Sequence, residues 1–156
     1  MKLIDLIGPG SPPARVWVAP GIDLDRLFEE ALAGGGVRAV LLEGRALSAE
    51  AAFFAAVAGR LDFPDYFGRN WDALDECLAD LDWIAEPVVV VAVRNADALL
   101  AAAPEGLRPL LDLLAAREAS PPSPSLRLLL QVERGAAKAL QRRVEAAGHR
   151  LPSWPP

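Results

Sequence analysis

Cysteine and histidine each occur once in the 156 residues, as Cys77 and His149. A lone thiol excludes an internal disulfide and a cysteine-based metal site, and it suits a reducing compartment. There is no apolar run long enough for a membrane-spanning helix. The first residues, MKLIDLIGPGSPP, carry too short an apolar stretch for a secretory signal, so the expected compartment is the cytoplasm. The same stretch lacks the lysine and the following helix of a phosphate-binding loop. No Ser/His/Asp set, Cys/His pair or calcium-loop spacing is present. These gaps point away from an enzyme and from any cofactor or metal.

Positive charge is also missing where it would be expected. Between residues 70 and 93 there is no lysine or arginine. Residues 62 to 86 hold eight acids against Arg69 alone, a local charge of −7 in a chain whose net charge is −5. Such a concentration favours cationic partners and disfavours nucleic acid at that surface. Residues 134 to 156 carry five bases against Glu145, but these alternate with Ala and Leu and read as the solvated face of a helix. Otherwise the composition, 53% hydrophobic and 24% charged, is that of one ordinary globular domain.

The apolar patterning alternates between strands and helices. VRAVLLEG (37–44), PVVVVAV (87–93) and SLRLLLQVE (125–133) read as strands, the second apolar on both faces and therefore central. Between the first two lie a helix opening at Ser48 as N-cap, and a second after Gly68 with Asn70 as N-cap. Residues 95–103 predict a short helix, 104–120 a longer one with Pro104 in its first turn, and 120–125 a loop. The order predicts an α/β domain with a small three-stranded parallel sheet flanked by helices over 37–133. Residues 1–36 form an N-terminal extension with a strand at 14–19 and a short helix ended by Gly34 to Gly36. Residues 134–156 form a C-terminal amphipathic helix and a tail, HRLPSWPP, expected to fray, with Trp154 either packed back or exposed.

The stretch FPDYFGRNWDALDECL (63–78) is the most informative. Projected at 100° per residue, Trp71, Leu74, Cys77, Leu78 and Leu81 form a core stripe, while Asp72, Asp75, Glu76, Asp80 and Asp82 share the opposite side. Asp72 gains from the helix dipole, whereas Asp80 and Asp82 sit near the end where negative charge is unfavourable. A solvated face therefore explains only part of the pattern. Paired carboxylates for acid–base catalysis need environments that separate their pKa values, which exposed neighbours do not supply. The rings of Phe63, Tyr66, Phe67 and Trp71 crowd in just before the acids. Phe63 and Phe67 read as core plugs. Aromatics beside acids also suit a protein interface, and on pattern alone Tyr66 and Trp71 fit either role.

This stretch resembles the signature of the barstar family through Pro64, Asp65, Tyr66, Phe67, Gly68, Asn70, Asp72, Ala73, Leu74, Cys77 and Leu78. The order of elements over about 37 to 133 is similar to that family's as well. Its members are intracellular inhibitors that plug the basic active site of small guanyl-specific ribonucleases such as barnase. The resemblance implies a non-enzymatic immunity protein whose partner is a small basic ribonuclease or a similar cationic toxin, not nucleic acid or membrane. It implies that Tyr66 packs at the cleft mouth and that Gly68, Asn70 and Trp71 line the contact. Asp72 and Glu76 would pair with active-site Arg and His, with Asp75 on the same face. Glu76 stands where the best-known member has an aspartate, Asp75 where it has a tryptophan, and Arg69 where it has an acid. A further acidic contact from the later helix falls to Glu118 or, failing that, Asp112. These departures leave open a barstar-like module for a different cationic toxin and, from another class, a carboxylate-dependent hydrolase.

Overall fold

A computed structural model describes residues 16–116 and 124–153. Its centre is a sheet of four parallel strands, β1 (Val16–Pro20), β2 (Val37–Glu43), β3 (Val88–Arg94) and β4 (Ser125–Val132), in the order β1-β4-β3-β2. The register places Val18 beside Leu130, Val91 beside Leu128 and Val40 beside Val91. Central strands buried on both faces are largely apolar: β3 reads so from Val88 to Val93, and β4 does from Leu126 to Val132 apart from the buried Arg127 and Gln131. The sheet has one strand more than the three expected. VWVAP is almost wholly buried, and it can bury both of its faces only inside the sheet, where it pairs with the otherwise bare edge of β4.

Helices cover both faces. Among the described residues α1 (Leu24–Gly34) is the helix on one face, where Leu24, Leu27 and Ala31 meet Trp17, Val90, Ala92 and Leu129. The other face carries α2 (Glu50–Arg60), α3 (Trp71–Asp80), α4 (Leu107–Ala115) and α5 (Ala137–Ala146) over the larger core. Strand alternation sorts the side chains: Val89, Val91 and Val93 point to the second face, Val90 and Ala92 to the first.

Four local expectations change. The N-cap of α2 is Ala49, not Ser48, and it makes no side-chain capping bond. The Ser48 carbonyl instead accepts the Ala102 N–H at 2.9 Å, which ties the start of α2 to the turn after β3. Residues 95–103 form a single 3-10 turn at Ala96–Ala98 followed by further turns, because Asn95 and Leu100 adopt left-handed backbone at φ 51 and 55. α4 starts three residues after Pro104, behind a 3-10 turn, and ends at Ala115; residues 117–123, with Glu118 and most of the expected loop, lie outside the described residues. The C-terminal segment up to Ser153 is docked rather than frayed: Val18 N–H donates to the Pro152 carbonyl at 2.9 Å, and His149 Nε2 lies 2.6 Å from Asp112 Oδ1. Trp154 is outside the described residues.

Candidate functional site: a pinned loop and an anionic helix face

Residues 61–70 connect α2 to α3 without regular structure, yet they are held at many points. The Phe63 N–H donates to the Ala58 carbonyl at 2.9 Å and the Phe67 N–H to the Pro64 carbonyl at 3.0 Å. Phe63 and Phe67 meet edge to face at 5.0 Å, Phe67 meets Phe54 at 6.2 Å, and Phe63 meets Trp83 at 6.1 Å. Trp83 acts as a strut, with its indole N–H donating to the Leu61 carbonyl at 2.8 Å. Edge-to-face pairs add stability beyond the area they bury, so the loop reaches α3 already ordered.

Asn70 starts α3 as the sequence predicts. Its Oδ1 accepts the Ala73 N–H at 2.8 Å and its Nδ2 reaches the Gly68 carbonyl at 3.4 Å. The side chain therefore shapes the loop as well as the helix. A Cβ on Gly68 would lie 3.3 Å from that same Nδ2, which favours glycine there. Arg69 between them is left-handed at φ 51. Trp71 is half-buried; its ring lies 4.8 Å from Phe54 and 5.7 Å from Phe53, and its N–H points to Glu50 Oε1 at 3.4 Å. Its principal role is to anchor the first turn of α3 to α2.

Below that turn, Leu74, Cys77, Leu78 and Leu81 are buried while Asp72, Asp75, Glu76, Asp80 and Asp82 are exposed. From Trp71 to Asp80 the predicted core stripe and the predicted anionic face are thus on opposite sides of one helix, while Leu81 and Asp82 lie beyond its end. Tyr66, at 81% exposure, stands beside the face as the most exposed large apolar side chain among the described residues. Burial, and after it the charges of Glu76 and Asp80, push the Cys77 thiol above its ordinary pKa. The helix ends where Leu81 turns left-handed at φ 38.

Tyr66, Gly68, Asn70, Asp72, Asp75 and Glu76 are all exposed on this continuous stretch, and Trp71 lies beneath them. Asp112 is engaged elsewhere, with His149 at 2.6 Å and Arg108 at 3.9 Å. The residue pattern assigned neither Glu50 nor Trp83 a role at this site. Glu50 was visible as a first-turn acid, but nothing in the spacing of Trp83 shows that it braces a loop twenty residues earlier. Among the described residues no cluster of His, Cys, Asp and Glu could hold a metal ion, and no helix is long and apolar enough to cross a membrane.

Fold and surface together define a parallel α/β domain that displays an anionic, aromatic-edged face. The family model described as Barstar (barnase inhibitor) matches residues 37–131, which is more than half of the chain, and the chain belongs to the barstar family. Among curated proteins it is similar to the "Putative ribonuclease inhibitor YrdF" of Bacillus subtilis (strain 168), 36% identical over 55 residues, which are 35% of this chain and 58% of that one. It therefore spans less than two thirds of that relative's length. Two solved structures of the Aeropyrum pernix ORC2 protein share the fold. The ADP form does so at TM-score 0.67 and 13% identity, over 97% of this chain and 44% of that one. The ADPNP-ADP complexes give 0.60 and 14%, over 86% and 39%. The first likeness extends over nearly the whole chain, whereas the family match starts only at β2.

Proposed function

We propose that this protein inhibits a ribonuclease with a cationic active site, of the guanyl-specific barnase-like kind, by seating residues 64–76 in that site. The observation that carries the reading is the single exposed face on which Asp72, Asp75 and Glu76 follow a pinned aromatic loop. Family membership and the name of the Bacillus relative support an inhibitor rather than an enzyme. The carboxylates stand in for RNA phosphates, and Tyr66 covers the mouth of the cleft. The Gly68 backbone, Asn70 and the outer edge of Trp71 fill the space between. Because the loop is already ordered, little conformational entropy is lost on docking. The protein acts in the cytoplasm, on nuclease that would otherwise degrade the cell's own RNA. Asp75, Glu76 and Arg69, which depart from the family pattern, select the cognate enzyme, and a different cationic toxin is the second reading they favour.

Titration of a purified guanyl-specific ribonuclease tests this. The expected result is loss of nuclease activity at one-to-one stoichiometry, and no loss with any such enzyme sinks the proposal in this form. Asp72→Ala and Glu76→Ala should each weaken the complex by at least about 2 kcal/mol with the fold intact. That scale comes from the barnase–barstar complex itself and not from this structure. Unchanged affinity in both variants would move the interface elsewhere.

A further inference from the structure

The carboxyl edge of the sheet carries a second feature, which shares no residue with the 64–76 surface. Between the 22–25 turn, which leads from β1 into α1, and the ends of β3 and β4 lies a polar cleft of about 250 Å³. Topology explains its position. β1 sends the chain to α1 on one face, whereas its neighbour β4 sends it to α5 on the other. Diverging connections leave a crevice at the carboxyl ends of adjacent strands, where open parallel sheets bind ligands.

Much of the polar lining is already engaged. Arg94 pairs with Asp25 at 2.9 Å. Asp23 caps α1 by accepting the Arg26 N–H at 3.2 Å. Asn95, left-handed at φ 51 and ψ 50, donates from its side chain to Glu43 Oε1 at 3.0 Å and from its backbone to Gln131 Oε1 at 3.1 Å. Burial works against ionisation of Glu43, but the hydrogen bonds from Asn95 and Arg45 and the charges of Arg45 and Arg94 outweigh it and hold its pKa below the ordinary value. That carboxylate stays charged and fixes Asn95.

Two groups on the lining are left over. Because a backbone N–H must donate to oxygen, the Asn95 contact sets the Gln131 amide orientation and turns its nitrogen away from Asn95. Gln131 is only 8% exposed, and that nitrogen has no hydrogen bond among the described residues. The Arg45 guanidinium also makes no hydrogen bond or ion pair among them. The unspent capacity is donor capacity, and a cation and an amide N–H lining one cleft suit an oxyanion. The lining as a whole is not basic: Arg45 and Arg94 against Asp23, Asp25 and Glu133 sum to −1. A free polyanion is therefore disfavoured.

We propose that the cleft binds a small polar ligand with two unlike ends, an oxyanion held by Gln131 and Arg45 and hydroxyl or ammonium donors facing Glu133 and Asp23. Carboxylate and phosphate share the head-group chemistry, and the test separates them. The full chain, labelled with 15N, is titrated in parallel with serine, ribose 5-phosphate and inorganic phosphate while the Gln131 side-chain amide and Arg45 Nε–H signals are followed. Serine reports a carboxylate head and ribose 5-phosphate a phosphate head. The expected result is a saturable shift at both groups with one of these two, and weaker binding of inorganic phosphate. Arg45→Ala, at an exposed position, should reduce the affinity about tenfold or more, as the loss of a charge-assisted bond does. Gln131→Leu should reduce it likewise. Both variants should inhibit the ribonuclease as the parent does, so failure here is separable from failure of the inhibitor reading. The proposal is overturned if neither two-ended probe gives a saturable shift, if inorganic phosphate binds as tightly, or if Arg45→Ala leaves the shifts unchanged.

Discussion

Cys77 shows how one residue registers both sides of α3. Its side chain belongs to the buried stripe, while Glu76 and Asp80 lie close enough for their charges to add to the effect of burial on its thiol. Thiolate is the reactive form, so alkylation at neutral pH should be slow in the folded protein. Glu76→Gln removes one of the raising charges and should shift the pH profile of alkylation to lower pH; an unmoved profile would mean burial acts alone. The sign for stability follows from the direction of the shift. The folded pKa lies above the ordinary thiol value of 9.0, so the fold holds this proton more tightly than the unfolded chain does. That contribution is complete below pH 9.0 and is lost as the pH rises through the folded pKa. Urea midpoints should therefore fall more steeply above that pH in the parent than in Cys77→Ser. Trp83 is the other informative residue. Trp83→Phe keeps an aromatic ring, though a smaller one, and loses the bond to the Leu61 carbonyl; loss of that bond should destabilise by about 1 kcal/mol.

Among the elements, α3 is the one in which, on the inhibitor reading, stability and recognition oppose each other. Asp72 and Glu76 are spaced i, i+4, and like charges at that spacing repel by about 0.2–0.5 kcal/mol. Glu76→Lys replaces the repulsion with an attraction, so thermal unfolding of the isolated protein should shift upward by about that energy while ribonuclease inhibition is lost. A variant that lost both would show that Glu76 holds the fold together. The helix end carries a different contest. Leu81 turns left-handed, which costs a non-glycine residue about 1–2 kcal/mol, but its side chain is completely buried. Removing a buried leucine side chain costs about 2–5 kcal/mol. Packing wins by magnitude, and Leu81→Gly should destabilise the protein in chemical denaturation even though the backbone favours glycine. At the other end, Asn70→Ala should cost about 1 kcal/mol of cap energy and also free the Gly68 turn, so it should weaken inhibition more than it weakens the fold.

At the scale of the whole molecule, the sequence was legible where one local pattern determines one structure. PVVVVAV and SLRLLLQV are apolar at successive positions, and the stripe at 74, 77, 78 and 81 has one helical solution. It was illegible where a backbone partner decides. Nothing in VWVAP states that it joins β4, and nothing in HRLPS predicts the Val18–Pro152 bond, because neither contact depends on side-chain type. Ser48 lost its capping role to a tertiary bond with Ala102. The cleft could not be read at all, since Asp23, Arg45, Asn95 and Gln131 meet only after the strands assemble. Charge is different, because its long-range effect depends on sums. Residues 62 to 86 carry −7 in a chain of net charge −5, so the remainder nets +2, and on the inhibitor reading a basic partner would be drawn toward the acidic segment before contact. The association rate should fall several-fold as ionic strength rises from about 10 mM, where screening reaches roughly 30 Å, to about 150 mM, where it reaches roughly 8 Å. Dissociation should change little over that range. Asp82→Asn, beyond the 64–76 stretch but within the acidic segment, should slow association and leave dissociation alone, as a rim charge does. If Asp82→Asn instead speeds dissociation, Asp82 is inside the contact and the interface extends past the end of α3.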